Sequence, residues 1–287
     1  MKIENPYQNL TDGEWLRGNL HMHPRPREDK QQAIDEYANA GYDFVMLTEH
    51  DIYFSPEEVE ALDARGLILI PGNEISANGP HLLHVNAQSL IEPDEDRQKV
   101  IDAVNAEGSF AIINHPRRGQ AFNRMPLKGM LELHDYLGME IFNGGSQGGV
   151  GSAYGTGLWD ELLNEGRRIW GHATDDYHRP PHLGQGWDMV YAAERSVSGV
   201  VEAIRQGRFY ASTGVIIRSV EVIGEDRIRI ETENAERISA LRQGGRRTDL
   251  ADDTVLETQV TEGSEYVRFE CWGHGESFAW SQPLWIA

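Results

Sequence analysis

The sequence predicts an α/β domain, a largely parallel sheet covered by helices, followed by a small antiparallel β domain. Three observations point there. From about residue 15 to 212, short apolar runs alternate with segments whose apolar residues recur every three or four positions. After Ser212-Thr213-Gly214 the helical spacing stops and short β-branched or alternating runs take over. Histidines and acids gather where predicted strands end, the side on which a barrel or an open parallel sheet builds its sites.

The elements follow in order. Strands are expected over 18–23, 43–49, 67–75, 82–86, 110–114, 140–142, 169–174 and 189–192, where aliphatic and aromatic residues run together between Gly, Pro, Asn or Asp. Helices are expected between them, over 30–40, 56–64, 94–106, 127–137, 158–165 and 197–206. That alternation leaves two closures open, a doubly wound sheet or a barrel. Beyond residue 213, strands are expected over 215–223, 227–232, 238–242, 254–260, 266–271 and 278–286, separated by turns such as Gly224-Glu225-Asp226 and Gly244-Gly245. The division is therefore 1–213 and 214–287.

The 287 residues carry 26 Lys and Arg against 46 Asp and Glu, a net charge of −20. A chain this acidic repels phosphodiester backbones, which excludes general binding to long nucleic acids or anionic membranes. One cysteine, Cys271, excludes an intramolecular disulfide, and no apolar run approaches the roughly 20 residues that span a bilayer. With a polar amino terminus, Met1-Lys2-Ile3-Glu4-Asn5-Pro6, the expected location is cytoplasmic.

Eleven histidines are clustered rather than scattered. His21-Met22-His23 closes the first strand, and residues two apart on a strand face the same way, as two ligands of one metal must. Thr48-Glu49-His50-Asp51, Glu74, Asn114-His115-Pro116 and Asp175-Asp176-Tyr177-His178 close later strands. A lone HxH is usually a pair of hydrogen-bonded core histidines. Five such clusters at strand ends instead point to two or more divalent metals with Glu74 between them. No Gly-x-Ser-x-Gly elbow or P-loop is present, and Gly144-Gly145-Ser146-Gln147-Gly148-Gly149-Val150-Gly151 is expected as a mobile loop over the mouth.

The motifs Gly18-Asn19-Leu20-His21-Met22-His23, Gly41 through Asp51, Pro71-Gly72-Asn73-Glu74, Asn114-His115-Pro116 and Ala173 through His178 resemble those of the PHP (polymerase and histidinol phosphatase) superfamily of metal-dependent phosphoesterases. Gly207 through Gly214 and Ala279-Trp280-Ser281-Gln282-Pro283-Leu284 are similar to a subgroup with a β-rich carboxyl-terminal extension. The resemblance spans almost the whole chain. It implies a distorted (β/α)7 TIM-like barrel (the PHP fold) holding two to three divalent metal ions (Mn, Zn or Fe) at its carboxyl face. It implies His21, His23, Glu74 and Asp176 on one metal. Glu74, His115 and His84 would hold a second, with His81 the alternative to His84. His50 and His178 would serve a third metal or act catalytically as proton donors. After its HxH the chain departs from the family pattern, reading Pro24-Arg25-Pro26-Arg27-Glu28-Asp29, so two metals are expected to be held firmly.

Three metal motifs run into arginines: Arg25 and Arg27, Arg117 and Arg118, and Arg179. Guanidinium groups bind phosphate or carboxylate through paired donors, so Arg25, Arg117, Arg118 and Arg179 are the candidate substrate contacts, and a small anionic substrate is expected. The expected reaction is hydrolysis of a small phosphomonoester or phosphodiester by a metal-bridging hydroxide. The alternative is hydrolysis of a carbamate or carboxylic ester at the same centre, with Trp159, Trp170, Trp187 and Tyr154 lining an apolar pocket. A metal-free structural or interaction module is a third reading. Glu140 and Asn143 are expected to support the site from behind, and His172 and His182 to reach substrate. The β-rich tail is expected to cover the barrel or support a homo-oligomer.

Overall fold

The computed structural model describes residues 2–24, 30–119 and 124–287. Chain order begins with β1 (Ile3–Glu4), β2 (Glu14–Asn19), α1 (Lys30–Asn39), β3 (Phe44–Leu47), α2 (Pro56–Glu60), β4 (Ile68–Ile75) and β5 (Leu82–Val85). It continues with α3 (Arg97–Ala106), β6 (Phe110–Ile113), α4 (Leu127–Glu132), β7 (Gly138–Asn143), α5 (Thr156–Asn164), β8 (Trp170–Thr174), β9 (Trp187–Ala192), α6 (Val197–Arg205) and β10 (Phe209–Ser212). The rest is strand: β11 (Ile217–Ile223), β12 (Arg227–Thr232), β13 (Ala235–Arg242), β14 (Arg246–Ala251), β15 (Val255–Gln259), β16 (Tyr266–Gly273), β17 (Phe278–Ser281) and β18 (Leu284–Ile286). No helix among the described residues is long and apolar enough to cross a membrane.

The strand–helix alternation from β2 to α6 matches the sequence pattern, and β10, a strand the apolar spacing did not predict, follows it. Parallel ladders join β2 to β3, β3 to β4, β6 to β7 and β7 to β8. Strand β5 breaks the parallel run, because the short turn through Asn78 and Gly79 returns it beside β4 and makes both of its ladders antiparallel. No continuous ladder closes β8 onto β2 among the described residues. Their extensions nevertheless meet at a parallel bridge, Met22 to Tyr177, where His23 N–H donates to Tyr177 O at 2.8 Å. A second bridge aligns His50 with Glu74. The strands carrying the motifs are thus tied together just where their motifs begin.

Beyond residue 213 the strands are antiparallel, as expected, but they do not form a wholly separate sheet. Strand β17 pairs with β10, placing Tyr210 beside Ser281, so one ladder runs from the motif strands into the carboxyl-terminal region. Strand β1 returns the connection by pairing with β18. Among the described residues, only β11, β12 and β15 form a sheet of their own. A buried ion pair, Arg268 of β16 with Asp160 of α5, adds a side-chain tie. Strand β14 was not expected, since Arg246-Arg247-Thr248-Asp249 reads as a polar turn; as an edge strand paired only with β13 it needs no apolar face.

Two helices end four or five residues before their expected bounds, α2 at Glu60 and α4 at Glu132. Helix α2 is set by a Ser55–Glu58 capping box with Pro56 in the first turn, and closes at Ala61. Helix α4 stops at Glu132, because Leu133 is extended and Asp135 turns left-handed (φ 61°) before the chain enters β7.

Candidate metal centre

Most of the expected metal ligands converge on Glu74, at the end of β4. Its Oε1 lies 3.1 Å from His115 Nε2, 3.0 Å from His81 Nδ1 and 3.4 Å from His21 Nε2. Its Oε2 lies 2.6 Å from His50 Nδ1 and 3.5 Å from His23 Nε2. Asp176, just past β8, puts Oδ1 within 3.4 Å of His21 Nε2 and 3.3 Å of both His23 Nε2 and His178 Nδ1. His21, His23, Glu74 and Asp176 are fully buried or nearly so, whereas His50 and His178 are partly open to solvent.

One expected ligand is displaced. His84 points away from the cluster: its Nδ1 lies 3.0 Å from Asn73 Oδ1 and its Nε2 2.6 Å from Glu107 Oε1. On the extended strand β5 and its approach, positions 81 and 84 cannot face the same way, and the structure gives the inward face to His81. His81, not His84, therefore belongs with His50 and Glu74.

Three other candidate groups of donors form: His21 with Glu74 and His115, His21 with His23 and Asp176, and His23 with His50 and His178. Glu74 Oε2, Asp176 Oδ1, His50 Nδ1 and His115 Nδ1 are buried without a well-aligned hydrogen bond, the short approach of His50 Nδ1 to Glu74 Oε2 included. Such orphaned atoms are costly unless a ligand satisfies them. The electrostatics agree. Burial opposes ionisation of Glu74 and Asp176, yet the charge of His21 and the surrounding imidazole contacts hold both carboxyls well below the usual range. Burial likewise opposes a charged His21, but Asp176, Glu140 and Glu74 draw a proton onto it. The carboxylates are thus compensated by positive charge on imidazoles, the place a divalent cation would take. Burial lowers the pKa of His81 despite Glu74, and pushes His178 down to about 4 despite Asp176, so both suit neutral ligation.

A supporting layer fixes these side chains. Glu140 Oε1 lies 2.6 Å from His21 Nδ1 and accepts from Thr174 Oγ1 at 2.6 Å; its Oε2 accepts from His115 N–H and Asn143 Nδ2. That bears on the expected role of Glu140 and Asn143, and adds Thr174, which the sequence did not single out. Asn114 Nδ2 donates to Glu74 Oε1 at 2.7 Å, and Glu49 Oε1 lies 3.3 Å from His23 Nδ1. Both sit within quoted motifs, the one signal that marked them. Asp175 serves the backbone instead, accepting from Tyr37, Tyr42 and the amides of Gly184, Gln185 and Gly186. His115 and Asp176 hold left-handed backbone (φ 23° and 47°), conformations that the surrounding contacts must maintain.

The glycine run was expected over the mouth, but its start lies against the cluster. A Cβ on Gly145 would stand 2.7 Å from Asp176 Oδ2, and one on Gly144 would stand 3.0 Å from Asp175 O. These two glycines let the chain pass directly beside the aspartates.

Of the expected substrate contacts, Arg118 reaches the cluster: Nη1 donates to Asp176 Oδ2 at 3.2 Å. Arg117 and Arg179 are exposed, the latter with Nε donating to His182 Nε2, and Arg25 lies outside the described residues. His182 Nδ1 in turn donates to Asp176 O at 3.2 Å, but His172 is sealed in the core, its Nδ1 2.7 Å from Asp188 and its ring stacked on Phe209. Trp159 is fully buried beneath Arg268, and Trp187 stacks on Arg17, so these aromatics do not line a common pocket.

No family model matches the chain, and no curated protein does. Among solved structures it is similar to a two-domain protein containing a predicted PHP-like metal-dependent phosphoesterase from Bacteroides vulgatus. The two are 19% identical, the match covers 94% of each chain, and the TM-score is 0.52. The likeness is one of fold, a PHP-like two-domain α/β architecture.

Proposed function

We propose that the protein is a metal-dependent hydrolase of small phosphomonoesters or phosphodiesters, its centre carried by residues 1–213 on a distorted seven-stranded barrel and supported by residues 214–287. The observation that carries this reading is the set of buried, unpartnered oxygens and nitrogens converging from separate strand ends beside an arginine. His21, His23, Glu74 and Asp176 would hold one ion, and Glu74, His81 and His115 a second. His23, His50 and His178 offer a third position. The mixture of imidazole and carboxylate suits Mn, Zn or Fe. When bound, such ions supply Lewis acidity and a water of lowered pKa.

The chain's own side chains supply the rest. Glu140 and Thr174 hold the His21 ring in one orientation, and Asn114 does the same for the Glu74 carboxylate. Arg118 binds the anionic oxygens of the ester, with exposed Arg117 and Arg179 drawing the anion to an otherwise acidic protein. His178 is held neutral by burial and so carries no extra proton to give; His50, about a third exposed, would protonate the leaving oxygen where the third position holds no ion. The neighbouring solved structure, described as containing a predicted metal-dependent phosphoesterase, supports this reading. The ester or carbamate reading loses its apolar pocket, because Trp159 belongs to the core.

The deciding experiment loads the protein with Mn or Zn and assays p-nitrophenyl phosphate, bis-p-nitrophenyl phosphate and p-nitrophenyl acetate in parallel. Phosphate-ester turnover that chelation abolishes is expected; turnover of the acetate alone would overturn the proposal. Replacing Arg117 and Arg118 together with Ala should raise KM for the phosphate substrate at least about tenfold.

A further inference from the structure

The segment after the glycine run does more than connect β7 to α5. Going backwards from α5, Gly155 N–H donates to Ile141 O and Asn143 N–H donates to Ala153 O, so the segment lies antiparallel beside the end of β7, with a bridge from Phe142 to Tyr154. It then crosses to the loop that follows His115. There Gly119 N–H donates to Val150 O at 2.6 Å, Ser152 N–H donates to Arg117 O at 3.1 Å, and Arg118 bridges Gly151. Residues 150–155 thus form a strap, sewn at one end to the β7 strand that carries Glu140 and at the other to the backbone on both sides of Arg118.

The strap is made for this crossing. Gly151 is left-handed (φ 108°), and a Cβ there would lie 2.3 Å from Arg117 O. A Cβ on Gly119 would meet Val150 Cγ1 at the same distance. The two segments approach so closely because Gly119 and Gly151 carry no Cβ where they meet. The other end rests on the carboxyl-terminal region. The Tyr154 ring packs edge-on against Phe278 at 5.9 Å and Trp280 at 6.4 Å, both on β17, as well as against Phe142 at 5.2 Å. Phe278 and Trp280 stack 5.4 Å apart, and β17 is fixed between β10 and β16.

We propose that the carboxyl-terminal strand β17, through Phe278 and Tyr154, is a positioning element for Arg118: it props the strap that holds the Arg117–Gly119 backbone, and so fixes the guanidinium beside Asp176 where it meets an anionic substrate. This gives the carboxyl-terminal region a part in substrate binding without placing any of its side chains at the metal centre. The inference rests on the anionic-substrate reading above for its consequence, but not for its geometry.

The test uses the full-length, metal-loaded protein and two variants that attack the strap from opposite ends, Phe278→Ala and Gly151→Ala. Amide hydrogen exchange at Gly119 and Ser152 should quicken at least about tenfold in both. The dissociation constant for inorganic phosphate, measured by calorimetry, should rise about five- to tenfold, with metal content unchanged. Phe278→Tyr, which keeps the ring contact, should restore both readouts. Exchange rates within about twofold of wild type in both variants would overturn the proposal, as would faster exchange with unaltered phosphate affinity. Gly151→Ala sits on a surface strap and guards against a Phe278→Ala variant that does not fold. If wild-type protein binds no phosphate, the phosphate-ester reading fails, and the exchange rates still decide whether β17 holds the strap.

Discussion

Arg268 and Asp160, clamped between β16 and α5, form a buried ion pair in which both carboxylate oxygens accept hydrogen bonds at 2.7 Å. Glu74 and Asp176 are at least as buried, yet each keeps an oxygen that accepts none. Burial opposes the charge in both places, and in both an opposite charge overcomes it. The difference lies in the carboxylates: both oxygens of Asp160 are met, and the clamp's one buried nitrogen without a hydrogen bond, Arg268 Nη1, still faces Glu270 Oε2 at 3.7 Å. The clamp is a bidentate pair that fixes the carboxyl-terminal strands on α5, with Arg268 also stacked on Trp159. The cluster is a set of donors short of partners, the state expected of groups built to bind something that arrives later. Buried charge alone therefore does not mark a site; several buried carboxylate oxygens and imidazole nitrogens left unmet at one point do.

Replacing one carboxylate in the cluster is the strongest challenge to that contrast. Glu74→Gln keeps the shape but removes the shared charge, and phosphate-ester turnover should fall at least about a thousandfold with loss of bound metal. In metal-free protein the same change should lower the melting temperature by less than Arg268→Ala does, because the cluster stabilises the fold little before its ligand binds. A thermal scan of both apo variants checks the order, and a larger loss for Glu74→Gln would break the comparison.

The clamp should respond in the opposite way. Arg268→Ala leaves Asp160 buried without its partner and should cost about 3–5 kcal/mol in urea unfolding, while metal bound per folded molecule stays at the wild-type level. Replacing both partners with Met and Leu should recover most of that loss, since two apolar groups of similar volume leave no buried charge behind. Failure of the double variant to recover would mean that the clamp also sets the register of β16 on α5.

The same distinction explains what the sequence could reveal. Motif residues such as His21, His23, Glu74 and Asp176 were legible because their types and strand-end positions are jointly unusual, and the alternation of strands and helices up to α6 was legible from apolar spacing. Thr174 was not, because a threonine closing a strand has many ordinary roles; only its 2.6 Å bond to Glu140 ties it to the centre. Nor was the continuity of β10 with β17, which depends on a pairing between residues about seventy positions apart that leaves no local periodicity. The glycines at 144 and 145 show a third kind of opacity. Their absence of side chains was visible, but not that Asp176 occupies the space a Cβ would need.

The finest cut separates two histidines on one short run. His81 faces Glu74 with orphaned atoms around it, whereas His84 is turned away from the cluster toward Asn73 and Glu107, and the Glu107 carboxylate is held further by Gln88 N–H and the Ser89 and Ser109 hydroxyls. His81→Ala should weaken metal binding at least about tenfold and leave urea stability nearly unchanged; His84→Ala should keep the metal and cost about 1–3 kcal/mol. pH sharpens the second half. Burial holds the His84 imidazole below its ordinary 6.5 despite Glu107, so the unfolded chain takes up that proton more readily than the folded one. The stability tied to neutral His84 is therefore present above pH 6.5 and is lost as pH falls from there toward the lowered folded value. Urea unfolding at descending pH should show a shallower loss in His84→Ala than in wild type. An equally steep loss in the variant would assign the proton uptake to other histidines, and metal lost from His84→Ala but kept by His81→Ala would return His84 to the centre.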